Sequence, residues 1–219
     1  MMILLAPSIL SADFAELGSN IKKAEEAGAD YIHFDVMDGM FVPNISFGLP
    51  VLRSVRKVTD LKLDVHLMIE EPSRFLKNFK EAGADIITVH VEACSDLLGT
   101  VMQINDLGMQ AGVSVKPDTD ISVLRPLYGK AKMFLIMTVE PGFGGQKLIL
   151  NCVDKVKTLR RELKANGLFT DIEVDGGITK ENVKLVLDAG ANVIVMGSSV
   201  FKGDIKENVR YFKGIFREY

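Results

Sequence analysis

Histidine and aspartate side chains recur where the sequence predicts the carboxyl ends of strands. The stretch YIHFDVMDG is rich in aromatic and β-branched residues and ends in a turn signal, which predicts a strand. Because side chains alternate along a strand, His33 and Asp35 point to the same side. His66 and Asp175 end two further predicted strands. Two imidazoles and two carboxylates form a mixed nitrogen and oxygen ligand set, which suits Zn²⁺, Fe²⁺, Mn²⁺ or Co²⁺.

The same residue types also have simpler explanations. A single histidine at a strand end, such as His90, is more often a hydrogen-bonded core residue, and an aspartate often holds a turn. Asp38 and Asp64 are interpreted in that way. Burying the four proposed ligands without partners would cost several kcal/mol of desolvation free energy for each group. A divalent cation bound between them would offset this cost. We therefore predict one divalent ion per chain, whose identity the sequence does not select.

Glycine-rich segments follow three of the predicted strands. MTVEPGFGGQK, from Met137 to Lys147, follows the sixth strand and is expected to open a helix, so that its glycine N–H groups lie near a helix N-terminus. Asp-Gly-Gly at 175–177 and Gly-Ser-Ser at 197–199 follow the seventh and eighth strands, where barrels frequently bind phosphate. One such loop often makes only a turn, but three on adjacent strands predict a phosphate site.

Methionines and one lysine lie close to these positions. Met37, Met68, Met137 and Met196 are expected to fill gaps in the core or, as a group, to wall the pocket and keep it dry. Lys116 follows the fifth strand and could form a Schiff base, but its place in a loop beside a proline favours an ordinary surface lysine.

The combination of a cation, two carboxylates and a phosphate site suits a phosphorylated sugar with a carbonyl and an adjacent hydroxyl. A cation that binds both oxygens stabilises the enediolate that forms when the carbon-bound proton leaves. If one aspartate removes this proton and another returns a proton to the opposite face, the carbon is inverted, and each transfer contributes about 10²–10⁴-fold. The predicted reaction is an epimerisation.

Alternating strands and helices must position these residues. In EEAGADYIHFD, KEAGADIITVH and LDAGANVIVMG a helical pattern stops at Ala-Gly and an apolar strand follows. Strands are predicted near 3–9, 30–36, 62–68, 85–91, 110–115, 133–139, 171–175 and 192–197, with helices at 14–27, 73–82, 147–165 and 179–189 among them. Eight such units predict a closed parallel (β/α)₈ TIM barrel that forms a single domain over 1–219. A doubly wound open sheet is the competing architecture.

Composition excludes several classes of partner. The net charge is −3 and the basic residues are spread along the chain, so a nucleic-acid partner is not expected. The apolar start, MMILLAPSIL, is too short for a membrane span and is interpreted as a buried strand. Cys94 and Cys152 have no disulfide or zinc-site spacing, which indicates a reducing cytoplasm. A small molecule is the expected partner, and homo-oligomerisation is left open.

Six segments carry a resemblance to a known family. LAPSILSADF, HFDVMDGMFVPN, LDVHLMIEEP, MTVEPGFGGQK, EVDGGI and GSSVF occur in this order and span the chain. In them the chain resembles the ribulose-phosphate 3-epimerases, which implies a barrel of the ribulose-phosphate-binding type. The resemblance also implies an isomerase of carbohydrate metabolism, in the pentose phosphate pathway, that interconverts D-ribulose 5-phosphate and D-xylulose 5-phosphate at the third carbon.

Roles for particular residues follow from this resemblance. It implies that Asp35 accepts the proton, that Asp175 donates one, and that both bind the metal with His33 and His66. The residues it implies for substrate binding are Ser8, Met37, His66, Met68, Met137, Gly142, Phe143, Gly144, Gly145, Gly176, Gly177, Gly197 and Ser198. Met40, Asp96 and Asp118 depart from the usual family residues, which bears on loop closure and substrate preference.

Three other functions are alternatives to this epimerisation. The first alternative is 3-epimerisation of allulose 6-phosphate, a sugar one carbon longer. A related lyase would need a lysine where this chain has His66. A sugar-phosphate sensor would need no acid and base pair, so the presence of both Asp35 and Asp175 disfavours it.

Overall fold

Alternation of strand and helix along the chain produces a barrel of parallel strands. In the computed structural model, which describes residues 2–219, the strands pair in the order β1-β8-β7-β6-β5-β4-β3-β2, and every pair is parallel. The strands are β1 (Leu4–Pro7), β2 (Tyr31–Met37), β3 (Lys62–Met68), β4 (Ile86–His90), β5 (Gln110–Val115), β6 (Met133–Met137), β7 (Asp171–Asp175) and β8 (Val193–Met196).

Contacts between the first two strands close the barrel. The Asp30 N–H donates to the Leu5 carbonyl at 3.0 Å, and Ser8 forms a parallel bridge with His33. The Asp30 carboxylate also accepts the Leu5 N–H at 2.7 Å. This seam joins the edges that an open sheet would leave apart. The predicted (β/α)₈ barrel is therefore confirmed, and the open sheet is wrong.

Helices cover the outside of the barrel between the strands. Those that the structure describes are α1 (Leu17–Ala27), α2 (Leu49–Arg56), α3 (Leu76–Ala82), α4 (Leu97–Asp106), α5 (Asn151–Ala165), α6 (Val183–Ala189), α7 (Ser198–Phe201) and α8 (Ile205–Phe216). Gly28, Gly83 and Gly190 end α1, α3 and α6 with φ of 104°, 105° and 106°, a left-handed conformation that favours glycine. The three Ala-Gly joints are thus helix C-caps. Within residues 2–219 no helix has the length and apolar character to span a membrane.

All four helices with predicted bounds begin later than predicted, and the unit after β5 has no α-helix among residues 116–132. α1 starts at Leu17 rather than at 14 and α3 starts at Leu76 rather than at 73, because short 3₁₀ segments precede both. α5 starts at Asn151 rather than at 147, and α6 starts at Val183 rather than at 179. The residues before α6 form a turn in which the Asn182 side chain accepts the Thr179 N–H at 2.8 Å. After β5 the chain forms a 3₁₀ segment, Ile121–Leu127, which contains Pro126. A proline cannot donate the backbone hydrogen bond that an α-helix requires there.

The inside of the barrel changes from apolar to polar along its axis. Fully buried His33, Asp64 and Glu173 occupy its middle, on β2, β3 and β7. Barrel interiors are typically filled by branched apolar side chains, so this polar layer is unusual. Its polar side chains contact the candidate site that lies above them. Toward the amino ends of the strands the filling is apolar and includes Ile86, Met133 and Val193, which begin β4, β6 and β8.

A buried arginine ties the outer layer to the amino ends of β7 and β8. Arg160 on α5 donates to the Gly190 carbonyl, the Thr170 carbonyl and Asn192 Oδ1, each at 2.9 Å. We expect Arg160→Met to lower the free energy of unfolding by about 2–4 kcal/mol, because buried acceptors lose their donors. Denaturant unfolding measures this. The neighbouring Arg161 is exposed, so Arg161→Met should change stability by less than about 0.5 kcal/mol; equal effects would contradict the role of Arg160.

Candidate active site

The four predicted metal ligands converge at the carboxyl end of the barrel. His33 Nε2 lies 3.3 Å from Asp35 Oδ1 and 4.0 Å from Asp175 Oδ2. His66 Nδ1 lies 3.2 Å and 3.9 Å from the same two oxygens. One ligand atom from each residue fits within 4.8 Å of all the others. Four N and O atoms at this spacing can surround a single ion at bonds of about 2.0–2.2 Å.

Strand register brings these residues together. β2 and β3 pair so that His33 is opposite Asp64 and Asp35 is opposite His66. All four side chains therefore face the same side of the sheet, which is the interior. Asp175 ends β7 and reaches the cluster from another part of the barrel wall. Closure of the barrel is thus required to complete the site.

The donor set fits a divalent cation. His33 Nδ1 lies 2.7 Å from the Asp64 carboxylate, to which it donates, so the other ring nitrogen is left to face the cluster. This Nε2 is fully buried and has no hydrogen-bond partner among residues 2–219. A buried nitrogen between two carboxylates requires positive charge, either its own proton or a cation. The cluster can therefore hold a divalent metal through nitrogen and oxygen ligands.

The two aspartates of the cluster differ in their affinity for protons. Burial alone would raise the pKa of Asp35, but His33 and His66 beside it hold that pKa well below its usual range. Burial and the charge of Asp35 raise the pKa of Asp175 to about 6. Although burial opposes it, Asp35 and Asp64 raise the pKa of His33 well above its ordinary value. Neighbouring carboxylates at one site thus have opposite shifts.

Two buried carboxylates under the cluster were not predicted as site residues. The interpretation of Asp64 as a turn residue is wrong, because it lies inside β3, is fully buried and accepts from His33. Glu173 lies beside it, with Oε1 3.6 Å from His33 Nδ1. Burial and the nearby Asp64 raise the pKa of Glu173 well above its ordinary value, which favours the protonated form. Period-two alternation with His66 and Asp175 was the sequence signal for both. By contrast, Asp38 holds a turn as predicted, accepting the Met40 and Phe41 N–H groups.

An open cavity of about 540 Å³ lies above the cluster. Asp35 and Asp175 form part of its floor. Met196 also lines it, so the methionines wall the cavity as a group, whereas His66 is fully buried beneath Asp35. The remaining residues predicted to bind substrate line this cavity: Ser8, Met37, Met68, Met137, Gly142, Phe143, Gly144, Gly145, Gly176, Gly177, Gly197 and Ser198.

Hydrogen bonds fix the cavity wall at two places. The Ser8 hydroxyl donates to Asp35 Oδ2 at 2.6 Å, which orients this carboxylate. The Asn44 side chain donates to the Gly142 carbonyl at 2.7 Å and so joins the loop after β2 to the loop after β6. Sequence reasoning missed Asn44, which carries no chemistry of its own. The prediction that the glycine-rich loop after β6 leads directly into a helix is wrong, because α5 begins only at Asn151.

Four further positions singled out from the sequence lie outside the cavity wall. Asp96 accepts the Gly99 N–H at 2.9 Å and caps α4. Met40 is 70% exposed in the loop after β2, and Asp118 is exposed after β5. Lys116 is half-buried, with Nζ 4.1 Å from the centroid of the Phe41 ring. Its interpretation as an ordinary surface lysine stays a prediction, with the Phe41 ring as a neighbour that the sequence did not indicate.

Close packing of glycine in the cavity wall can be tested at Gly177. Its φ is +68°, and an added Cβ would lie 2.3 Å from the backbone nitrogen of Leu148, which also lines the cavity. We expect Gly177→Ala to displace this backbone and raise KM by about 10- to 100-fold, which corresponds to losing one hydrogen bond to a charged group. Steady-state kinetics measures this.

The matched control for this variant is Gly167→Ala. Gly167 has the same φ of +68°, but an added Cβ there would meet no atom of residues 2–219 within 4 Å. Gly167→Ala should therefore introduce the same backbone strain as Gly177→Ala but leave KM unchanged. If both variants raised KM equally, close approach at Gly177 would have no part in substrate binding.

Fold and site together define a parallel (β/α)₈-barrel enzyme with a candidate metal centre at the carboxyl ends of its strands. The model of the ribulose-phosphate 3 epimerase family matches residues 4–201. The ribulose-phosphate 3-epimerase of Bacillus subtilis strain 168 is 50% identical over 215 residues, which cover 97% of this chain and 99% of that protein. The chain belongs to the ribulose-phosphate 3-epimerase family.

A second relative agrees with the family assignment, and a solved structure agrees with the fold. The chloroplastic ribulose-5-phosphate-3-epimerase of Arabidopsis thaliana is 49% identical over 97% of this chain and 76% of its own length. The structure of KGPDC from Streptococcus mutans superimposes with a TM-score of 0.72, covering 100% of this chain and 99% of that chain. Its sequence identity is 15%, so this similarity establishes the fold alone.

Proposed function

We propose that the chain interconverts D-ribulose 5-phosphate and D-xylulose 5-phosphate by inverting the third carbon. The observation that carries this proposal is the convergence of Asp35 and Asp175 on the floor of one cavity whose wall is made by three glycine loops. An epimerase needs proton-transferring groups on both faces of one carbon. Relatives that are about half identical and carry the name of this activity support the same substrate.

The two aspartates divide the proton transfers. Asp35 accepts the proton from one face of the carbon, and Asp175 supplies a proton to the other face. The pKa of Asp35 lies well below its usual range and that of Asp175 is raised to about 6, so Asp175 is the carboxylate of the pair that binds a proton more readily. The Ser8 hydroxyl keeps one Asp35 oxygen in place, so the other oxygen stays at the cluster. Each transfer is worth about 10²–10⁴-fold.

His33, Asp35, His66 and Asp175 are the residues that would hold one divalent ion, and Zn²⁺, Fe²⁺, Mn²⁺ and Co²⁺ all suit these ligands. When bound, such an ion supplies stabilisation of the negative charge that develops on the substrate oxygens. Met37, Met68 and Met137 border the reacting carbons and exclude water from this end of the cavity.

The substrate phosphate binds at the other end of the cavity. Backbone N–H groups of 142–145, 176–177 and 197–198 supply donors there, as the loops after late strands commonly do in barrels. With phosphate at one end and the carboxylates at the other, a ketose phosphate is held in one orientation. A sugar phosphate is thus the proposed small-molecule partner. The free thiols of Cys94 and Cys152 support a reducing cytoplasmic setting.

Incubation with D-ribulose 5-phosphate in D₂O tests the activity. We expect NMR to detect D-xylulose 5-phosphate with deuterium at the third carbon, because the acid that returns a proton exchanges with solvent. A parallel incubation with allulose 6-phosphate should be much slower. Folded, metal-loaded protein that converts only the six-carbon sugar would overturn the assignment, and protein that converts neither would overturn epimerisation.

A further inference from the structure

A second imidazole lies directly behind one of the proposed metal ligands. His66 Nδ1 faces the cluster, and its other ring nitrogen, Nε2, is 2.8 Å from His90 Nε2. The two ring planes are 27° apart and both side chains are fully buried. Two nitrogens at this distance in a dry site must share a proton, so that one ring donates and the other accepts.

The direction of this hydrogen bond follows from the residue behind His90. His90 Nδ1 lies 3.2 Å from Glu92 Oε2, while Glu92 Oε1 accepts from the Lys116 N–H at 2.9 Å and from the Thr119 hydroxyl. Glu92 thus accepts at both oxygens, as an ionised carboxylate does. A carboxylate oxygen faces a ring nitrogen only if that nitrogen carries a proton or if a cation binds both atoms. The candidate metal cluster includes His66 Nδ1 and Asp35 Oδ1, which are 3.2 Å apart, but neither His90 nor Glu92, so His90 Nδ1 must carry the proton.

The position of the proton on His90 fixes the position of the proton on His66. With its proton on Nδ1, a neutral His90 has a bare Nε2, which can only accept. His66 must therefore donate from Nε2, and its Nδ1 is left with a lone pair directed at the cluster. The opposite assignment would bring a bare His90 nitrogen against a carboxylate and put a proton on the His66 atom that faces the metal position.

We propose that His90, held by Glu92, is a positioning residue that fixes the His66 tautomer and presents Nδ1 to the divalent ion. This inference rests on the proposed metal site. It gives His66 the same kind of support that Asp64 gives His33, a buried acceptor behind the ring. Outer-shell partners of this kind orient ligands, and their loss typically weakens metal binding by about 10–100-fold.

The chain from His66 to Glu92 also reaches the loops around the cavity. Glu92 follows β4, and its partners Lys116 and Thr119 lie after β5. The Lys116 ammonium contacts the Phe41 ring, and that ring packs 4.8 Å from the His90 ring, measured between centroids. Three loops therefore hold His90 in one orientation, which a residue that only filled space would not need.

Two variants of His90 separate positioning from packing. His90→Phe keeps an aromatic ring but offers His66 no acceptor, whereas the amide oxygen of His90→Gln can accept from His66 and its N–H can donate to Glu92. Zn²⁺ titration of the metal-free proteins should give a dissociation constant about 10- to 100-fold higher for His90→Phe. His90→Gln should lie within about threefold of the wild type.

Histidine nitrogen NMR provides a readout that packing alone would not change. The chain has three histidines, so the ¹⁵N spectrum of the zinc-loaded protein is simple to assign. We expect His66 to be in the Nε2–H form and His90 in the Nδ1–H form. The opposite tautomers would overturn the proposal.

Glu71→Gln is the matched control. Glu71 also clamps a loop, accepting the Ser95 N–H at 3.0 Å and the Ser95 hydroxyl at 3.1 Å, but no histidine is among its hydrogen-bond partners within residues 2–219. It should leave the zinc dissociation constant unchanged. Equal weakening by His90→Phe and His90→Gln would overturn the positioning role and leave the metal site standing. A wild type that binds no Zn²⁺, Fe²⁺, Mn²⁺ or Co²⁺ would overturn the metal site itself.

Discussion

Replacement of Asp175 by asparagine should abolish epimerisation while one of the two substrates keeps exchanging its proton with solvent. The amide cannot transfer a proton, so kcat should fall by about 10²–10⁴-fold. Asp35, on the other face, can still remove a proton and return it to the same side. Asparagine keeps the shape of the side chain and one oxygen for the cation, so Asp175→Asn isolates the loss of proton transfer. NMR in D₂O with each pentulose phosphate separately measures both quantities.

The matched variant Asp35→Asn should give the mirror result. It should exchange the proton of the other epimer, because Asp175 then acts alone. Asp188→Asn serves as a control, since Asp188 only accepts from the Tyr219 hydroxyl at 2.8 Å on the surface; it should keep wild-type turnover. Asp175→Asn with near-normal epimerisation, or both active-site variants exchanging the same epimer, would refute the division of roles.

Replacement of His66 by alanine should remove most of the bound metal. Three ligands remain, and the buried carboxylates of Asp35 and Asp175 lose a cation that offsets their mutual repulsion. We expect the wild type to hold about one divalent ion per chain and His66→Ala to hold a small fraction of that. The affinity should fall by more than the roughly 10–100-fold that the loss of an outer-shell partner produces. Elemental analysis of purified proteins measures the stoichiometry.

Chelation provides the control for this variant. Wild-type protein stripped of metal should lose activity and regain it when Zn²⁺, Mn²⁺ or Co²⁺ is added. His66→Ala should not regain activity at the same concentrations, and circular dichroism should show that it remains folded. Undiminished metal content in His66→Ala would remove this residue from the ligand set.

Most of the fold can be predicted from local patterns in the sequence. Alternating apolar strands and Ala-Gly helix ends depend on neighbours along the chain, so they predicted the barrel and the C-caps at Gly28, Gly83 and Gly190. The starts of α5 and α6 were predicted too early because polar loop residues next to a helix also fit a helical pattern. The 3₁₀ segment after β5 gave only one local signal, Pro126.

The site was predicted where strand alternation alone decides which way a side chain points. His33 and Asp35 share a face in any strand that contains them, and their partners His66 and Asp175 follow from the same rule. The acceptors behind the rings depend on register between strands and on distances across the barrel, which one sequence does not encode locally. Asp64 was therefore taken for a turn residue, Glu173 was missed, and Ser8 entered through family resemblance alone.

The polar layer in the middle of the barrel limits how this protein can be engineered. In many globular proteins, apolar side chains that fill cavities in the core add stability. Here His33, Asp64 and Glu173 fill that centre and support the cluster above it, so apolar replacements would exchange activity for rigidity. Apolar stabilising substitutions belong in the shell between the strands and the helices, where apolar side chains such as Phe34, Phe134 and Phe212 pack. In this barrel the residues that fill the centre of the core also hold the candidate metal site in place.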